Sequence, residues 1–70
     1  MSEGVYKVIE IIGSSAESWE EAGKNAVERA SKNLRELRIA EVVEQDLKLE
    51  NGKVSAYRTK LRVSFKFDGN

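Results

Sequence analysis

Two rhythms of apolar residues alternate along the chain. "VYKVIEII" (Val5 to Ile12) is rich in β-branched residues and is bounded by Gly4 and Gly13, which predicts a strand. Apolar residues fall on both of its faces, so a central or well-covered place in a sheet is expected. "GSSAES" (Gly13 to Ser18) reads as a turn. Two capping boxes overlap there, Ser14 with Glu17 and Ser18 with Glu21. Ser18 is the expected N-cap, because the periodic apolar residues begin at Trp19. Trp19, Ala22, Ala26, Ala30, Leu34 and Leu37 then recur at helical steps, with Val27 widening the stripe. That predicts one amphipathic helix with Trp19 as a core anchor. Glu20, Lys24, Glu28 and Lys32 alternate in sign along its solvent face.

The rhythm then switches to period two. "RIAEVVEQDLKLE" (Arg38 to Glu50) and "KVSAYRTKLRVSFKF" (Lys53 to Phe67) flank Asn51-Gly52, a strong hairpin signal. A two-residue loop pairs Glu50 with Lys53. The register then sets Gln45 opposite Arg58, Glu41 opposite Arg62 and Ile39 opposite Ser64 on one face. On the other it sets Asp46 opposite Tyr57, Glu44 opposite Thr59 and Val42 opposite Leu61. In the last strand Tyr57, Thr59, Leu61, Val63, Phe65 and Phe67 face one way, while Arg58, Lys60, Arg62, Ser64 and Lys66 face the other. The apolar side should hold the helix. The charged side suits intersubunit salt bridges or a wet inner surface. The fold expected is α+β, in the order β-α-β-β, with a three-stranded antiparallel sheet wrapped around one helix.

Composition narrows the chemistry. The chain has 70 residues and reads as a single domain over 1–70, without repeats or linkers. A chain so short buries only about 60% of the surface its unfolded form exposes, and such thin cores call for disulfides, a metal or oligomerisation. No cysteine and no histidine occur, which removes disulfides, thiolate metal sites and the commonest general base. A metal site would need oxygen ligands, which favours calcium or magnesium. Ser14 and Ser15 lack a base to activate them, so an enzyme is not expected. Twelve basic and twelve acidic residues balance, leaving no global field to attract nucleic acid or an anionic membrane. There is no apolar run of membrane-spanning length and no signal-peptide pattern, so a cytoplasmic protein is expected.

The opening "VYKVIEIIGSS", the helix "SWEEAGKNAVERA", "AEVVEQD" and the closing "YRTKLRVSFKFDG", in this order and spacing, resemble the dodecins. The resemblance implies assembly into a hollow homododecamer that stores a small ligand. In flavin-binding members a tryptophan stacks on the flavin and a glutamine on the last strand hydrogen-bonds it. The matching position for the tryptophan, in "LRIAEV", is Ile39; for the glutamine, in "AYRT", it is Arg58. Ile39, Gln45 and Arg58 are therefore the candidate ligand contacts. Losing a stack worth roughly 1–3 kcal/mol per ring weakens flavin binding by about one to two decades. "YKVIEIIGSS", "SWEEA" and "VEQD" resemble in particular a tryptophan-lacking subgroup described as calcium-binding. Chemistry alone points to Glu44 and Asp46 as candidate metal ligands, two apart on a strand and hence on one face. Their plainer reading is a solvated strand edge, or ion pairs with Lys48. The alternatives to calcium storage are flavin storage with a divergent pocket and an interaction module with no ligand.

Overall fold

The structure is a computed structural model and describes residues 4–66. Four elements follow in order: β1 (Tyr6–Ser15), α1 (Trp19–Ala30), β2 (Leu37–Glu50) and β3 (Lys53–Lys66). The sheet is antiparallel with strand order β1-β3-β2. Helix α1 lies across one side of it, as the β-α-β-β reading expects. The asparagine-glycine turn closes the β2–β3 hairpin with φ of 53° at Asn51 and 75° at Gly52. Two successive positive φ values match the twist of the flanking strands.

Ser18 caps α1: its hydroxyl accepts a hydrogen bond from the Glu21 amide at 3.0 Å. The core is thin, as the chain length requires. Ala22, Ala26, Leu61 and Val63 are buried, with Ile9, Ile11, Val27 and Leu37 packed around them. Small residues let helix and sheet approach closely. A Cβ on Gly13 would stand 2.0 Å from the Ala22 carbonyl oxygen and 2.8 Å from the Ala26 Cβ, so only glycine fits beneath this turn of the helix. Thr59 is the one buried polar side chain among the described residues, and its hydroxyl donates to the Trp19 carbonyl at 2.8 Å.

Four expectations change. First, β1 is an edge strand, with Val8 and Ile12 exposed on the side away from the helix. Its two-faced apolarity therefore does not mark a central position. It also runs on through Gly13, Ser14 and Ser15, which the turn reading had excluded, because those residues pair with Thr59, Arg58 and Tyr57. Second, the helix ends at Ala30 and not near Leu37. The Ser31 hydroxyl donates to the Glu28 carbonyl, and the Lys32 and Asn33 amides bond three residues back, to the Arg29 and Ala30 carbonyls; the last turn tightens and the serine side chain competes with the helical backbone. Leu34 follows in the connection and Leu37 in β2, so the periodic stripe outlasts the helix. Third, Trp19 is half-buried and not a core anchor. Its ring meets Tyr57 edge-on at 5.3 Å, and its indole N–H donates to the Asp46 carbonyl at 3.1 Å.

The fourth change concerns the hairpin register. Glu50–Lys53, Val42–Leu61, Glu41–Arg62, Ala40–Val63 and Ile39–Ser64 pair as expected. Between them, register breaks fall at Lys48/Leu49 and at Val42/Glu44. The first leaves Ser55 of β3 unpaired; the second leaves Val43 of β2 unpaired. The two bulges offset one another, and between them every pair moves by one residue. A one-residue slip against β3 turns each β2 side chain in this stretch to the face opposite the expected one. Phe67, expected on the apolar face, lies outside the described residues.

Candidate functional site

The side of the sheet away from α1 carries a ladder of charge. Its middle rail is β3, which presents Arg58, Lys60 and Arg62. The flanking strands set carboxylates against each. Asp46 meets Arg58 in a two-pronged contact, Nε to Oδ1 at 2.7 Å and Nη2 to Oδ2 at 2.8 Å. The Lys60 amine stands 3.8 Å from Glu10 and 3.8 Å from Glu44. Arg62 reaches Glu10 at 3.1 Å and Glu41 at 3.9 Å. The basic strand face expected to pair between subunits thus finds partners within its own chain. It does so because β3 is central and acidic residues of both neighbours fall in register with it.

The Asp46–Arg58 contact shifts both groups. The Arg58 hydrogen bonds hold the Asp46 carboxyl below the usual carboxylate range, and the same bonds raise Arg58 above its own. Nothing comparable fixes Glu44, whose cation is shared with Glu10 and stands further away. The Asp46 main chain is pinned by the Trp19 indole, so its carboxylate projects from an anchored point on β2.

The predicted ligand positions divide. Ile39 and Arg58 share the outer face, as expected. They are far apart within one chain: Ile39 pairs with Ser64 and Asp46 with Arg58, a separation along β3 of roughly 20 Å at the usual strand rise. Gln45 does not join them. The Val43 bulge turns it toward the helix side, opposite Thr59, so its expected pairing with Arg58 is wrong. Glu44 and Asp46 do share a face, but opposite Lys60 and Arg58 rather than Thr59 and Tyr57. Lys48, the ion-pair partner considered for them, lies nearest Glu50 instead, at 4.0 Å.

At the far end of the same face, Ile39 is 67% exposed. It lines an open depression of about 390 Å³ with Tyr6, Arg38 and Ser64. Tyr6 and Glu10 belong to this surface and were not anticipated. No turn signal in the sequence fixes the pairing of β1 with β3, so nothing there places them beside β3. Among the described residues no group of three or more acidic side chains is close enough to hold an ion. Among the described residues no helix is long and apolar enough to cross a membrane.

A β-α-β-β chain with one helix on one side of the sheet, and an uncovered, charge-laddered second side, defines a small α+β protein of the sheet-on-helix kind. This chain belongs to the dodecin family, whose sequence pattern matches residues 5–68. The calcium dodecin of Mycobacterium tuberculosis is 50% identical over 62 residues, covering 89% of this chain and 87% of that protein. A crystal structure from the same organism, of a "calcium chelating immunodominant antigen, calcium dodecin" with "a novel calcium-binding site", superposes with a TM-score of 0.84 at 49% identity over 94% of each chain. Dodecin from Streptomyces coelicolor superposes with a TM-score of 0.92 at 34% identity over 100% of each.

Proposed function

We propose that this chain is the subunit of a cytoplasmic dodecameric shell that sequesters calcium or another hard cation and does not hold flavin in the usual way. The observation that carries the reading is the outer face, where Glu44 and Asp46 project to one side of β2, half-exposed or more. Their donors suit a hard cation: carboxylate oxygens are what calcium takes, and no softer ligand competes. One chain brings two such carboxylates to this stretch of β2, whereas calcium prefers about six to eight oxygens. Water and the equivalent residues of sister copies would complete the shell. The likeness to a calcium dodecin at 50% identity supports the metal. The role is binding, without turnover.

Flavin storage is the second reading, and Tyr6 is the observation that favours it. Its ring lines the depression beside Ile39 and offers a π face that isoleucine lacks. Against it stands Arg58, held by Asp46 where flavin-binding members place a glutamine.

Calorimetry separates the readings. Chelator-stripped wild-type protein should give a saturable heat with calcium chloride. Glu44→Gln together with Asp46→Asn should abolish it, and riboflavin fluorescence should not be quenched. Intact assemblies that give no calcium heat, or a riboflavin solution quenched by stoichiometric protein, would overturn the proposal.

A further inference from the structure

We infer that Arg58 is a tethered cation that competes with a bound divalent metal for the Asp46 carboxylate, and so sets the affinity and the reversibility of the site. The inference rests on the reading of Glu44 and Asp46 as metal ligands and names what regulates them. Both carboxylate oxygens of Asp46 are engaged by the guanidinium, at 2.7 Å and 2.8 Å. A metal ion cannot share those lone pairs in the same geometry, because calcium sits about 2.3–2.6 Å from its oxygens. Binding through Asp46 therefore requires the fork to open.

The other acidic side chains of the ladder are held differently. Glu44 meets Lys60 at 3.8 Å, and Lys60 divides itself between Glu44 and Glu10. A monodentate amine at that distance yields with little rearrangement, whereas a planar fork on a carboxylate is geometrically specific. Of the two candidate ligands, Asp46 is thus the one that must be released. Release does not need the strand to move. The Trp19 indole holds the Asp46 carbonyl, and the hairpin ladder holds its neighbours. Only two side chains, each about half-exposed, have to rotate. Opening also leaves an uncompensated guanidinium beside the incoming metal, a like-charge contact that lowers affinity further.

The test uses Trp19, the only tryptophan in the chain, as a reporter. Its indole bonds directly to Asp46, so its emission should follow calcium occupancy. Calcium titrations of the whole assembled protein are compared for wild type, Arg58→Gln and Arg62→Gln. Arg62→Gln removes the same charge from the same strand face, but its partners are Glu10 and Glu41. Arg58→Gln should tighten calcium binding by about three- to ten-fold, because an exposed ion pair and a like charge are removed together. Arg62→Gln should leave the affinity within about two-fold.

Equal tightening by both variants would reduce the effect to net charge and overturn the inference. So would an unchanged affinity in Arg58→Gln. The underlying reading is judged apart from this: an Asp46→Asn variant that binds calcium as tightly as wild type shows that Asp46 is no ligand, whatever the Arg58 result. Calcium binding that appears only once Arg58 is replaced overturns calcium storage by the native protein and upholds the competition at Asp46. If neither wild type nor Arg58→Gln binds calcium, both ideas fall.

Discussion

Gly13 shows how one position sets the distance between two layers. With the Ala22 carbonyl 2.0 Å from where a Cβ would stand, Gly13→Ala forces α1 away from β1 or bends the strand. Overpacking of this kind costs typically about 1–3 kcal/mol. An unfolding free energy lower by that amount, seen in chemical denaturation as a lower midpoint with an unchanged slope, is the expected result. Asp46 makes a different kind of prediction, in pH. Its folded carboxyl titrates below the unfolded value because Arg58 hydrogen-bonds the charged form. The pair's contribution is therefore complete above about pH 4, the unfolded aspartate value, and is lost as pH falls through the lowered folded pKa. A carbon-detected NMR titration of metal-free protein should show the Asp46 midpoint rise in Arg58→Gln. An unmoved midpoint would mean that the fork is not formed in solution.

Among the elements, the helix start is the best specified. Ser18 and Glu21 read as a capping box, and the Ser18 hydroxyl accepts from the Glu21 amide. Ser18→Ala should cost about 1 kcal/mol, visible as a lower thermal midpoint with the spectral signature of the sheet retained. The helix end was harder to read. Leu34 and Leu37 continue the apolar spacing into a connection and a strand, where Leu37 still packs against the core. Periodicity reports which side a residue faces and not which element carries it. The hairpin makes the same point about register. Its turn and its far pairs were legible, yet two bulges with no signature in the sequence reversed the faces of the β2 residues between them. Gln45 left the outer face by that route, while Glu44 and Asp46 stayed together because both turned.

As a whole, the molecule is elongated, 51 × 20 × 18 Å. A 12-residue helix spans about 18 Å, so α1 covers only part of the sheet. Val8, Ile12 and Ile39 on the outer face, and Leu47, Leu49 and Val54 toward the hairpin tip, are left exposed. So much scattered apolar surface on so thin a core suits a chain that completes itself against copies of its own kind. Native mass spectrometry should give a species of twelve chains of 7.9 kDa each. Val8→Glu combined with Ile12→Glu should shift the population to smaller assemblies. These side chains lie outside the buried core, so any remaining monomer should keep its far-ultraviolet spectrum. An unchanged dodecamer would show that β1's outer face is not part of the contact.

Local chemistry in the sequence determined the element order, the helix cap, the glycine turn and the shared face of Glu44 and Asp46, because each depends on residues a few positions apart. The tertiary structure alone decided that β3 lies in the middle, that β1 is an edge, and that Arg58 grips Asp46. Those facts depend on pairings between distant strands and on bulges whose cost is met elsewhere in the sheet. A repeating pattern of apolar residues can say that a strand has two faces; only the assembled sheet says what stands across from each.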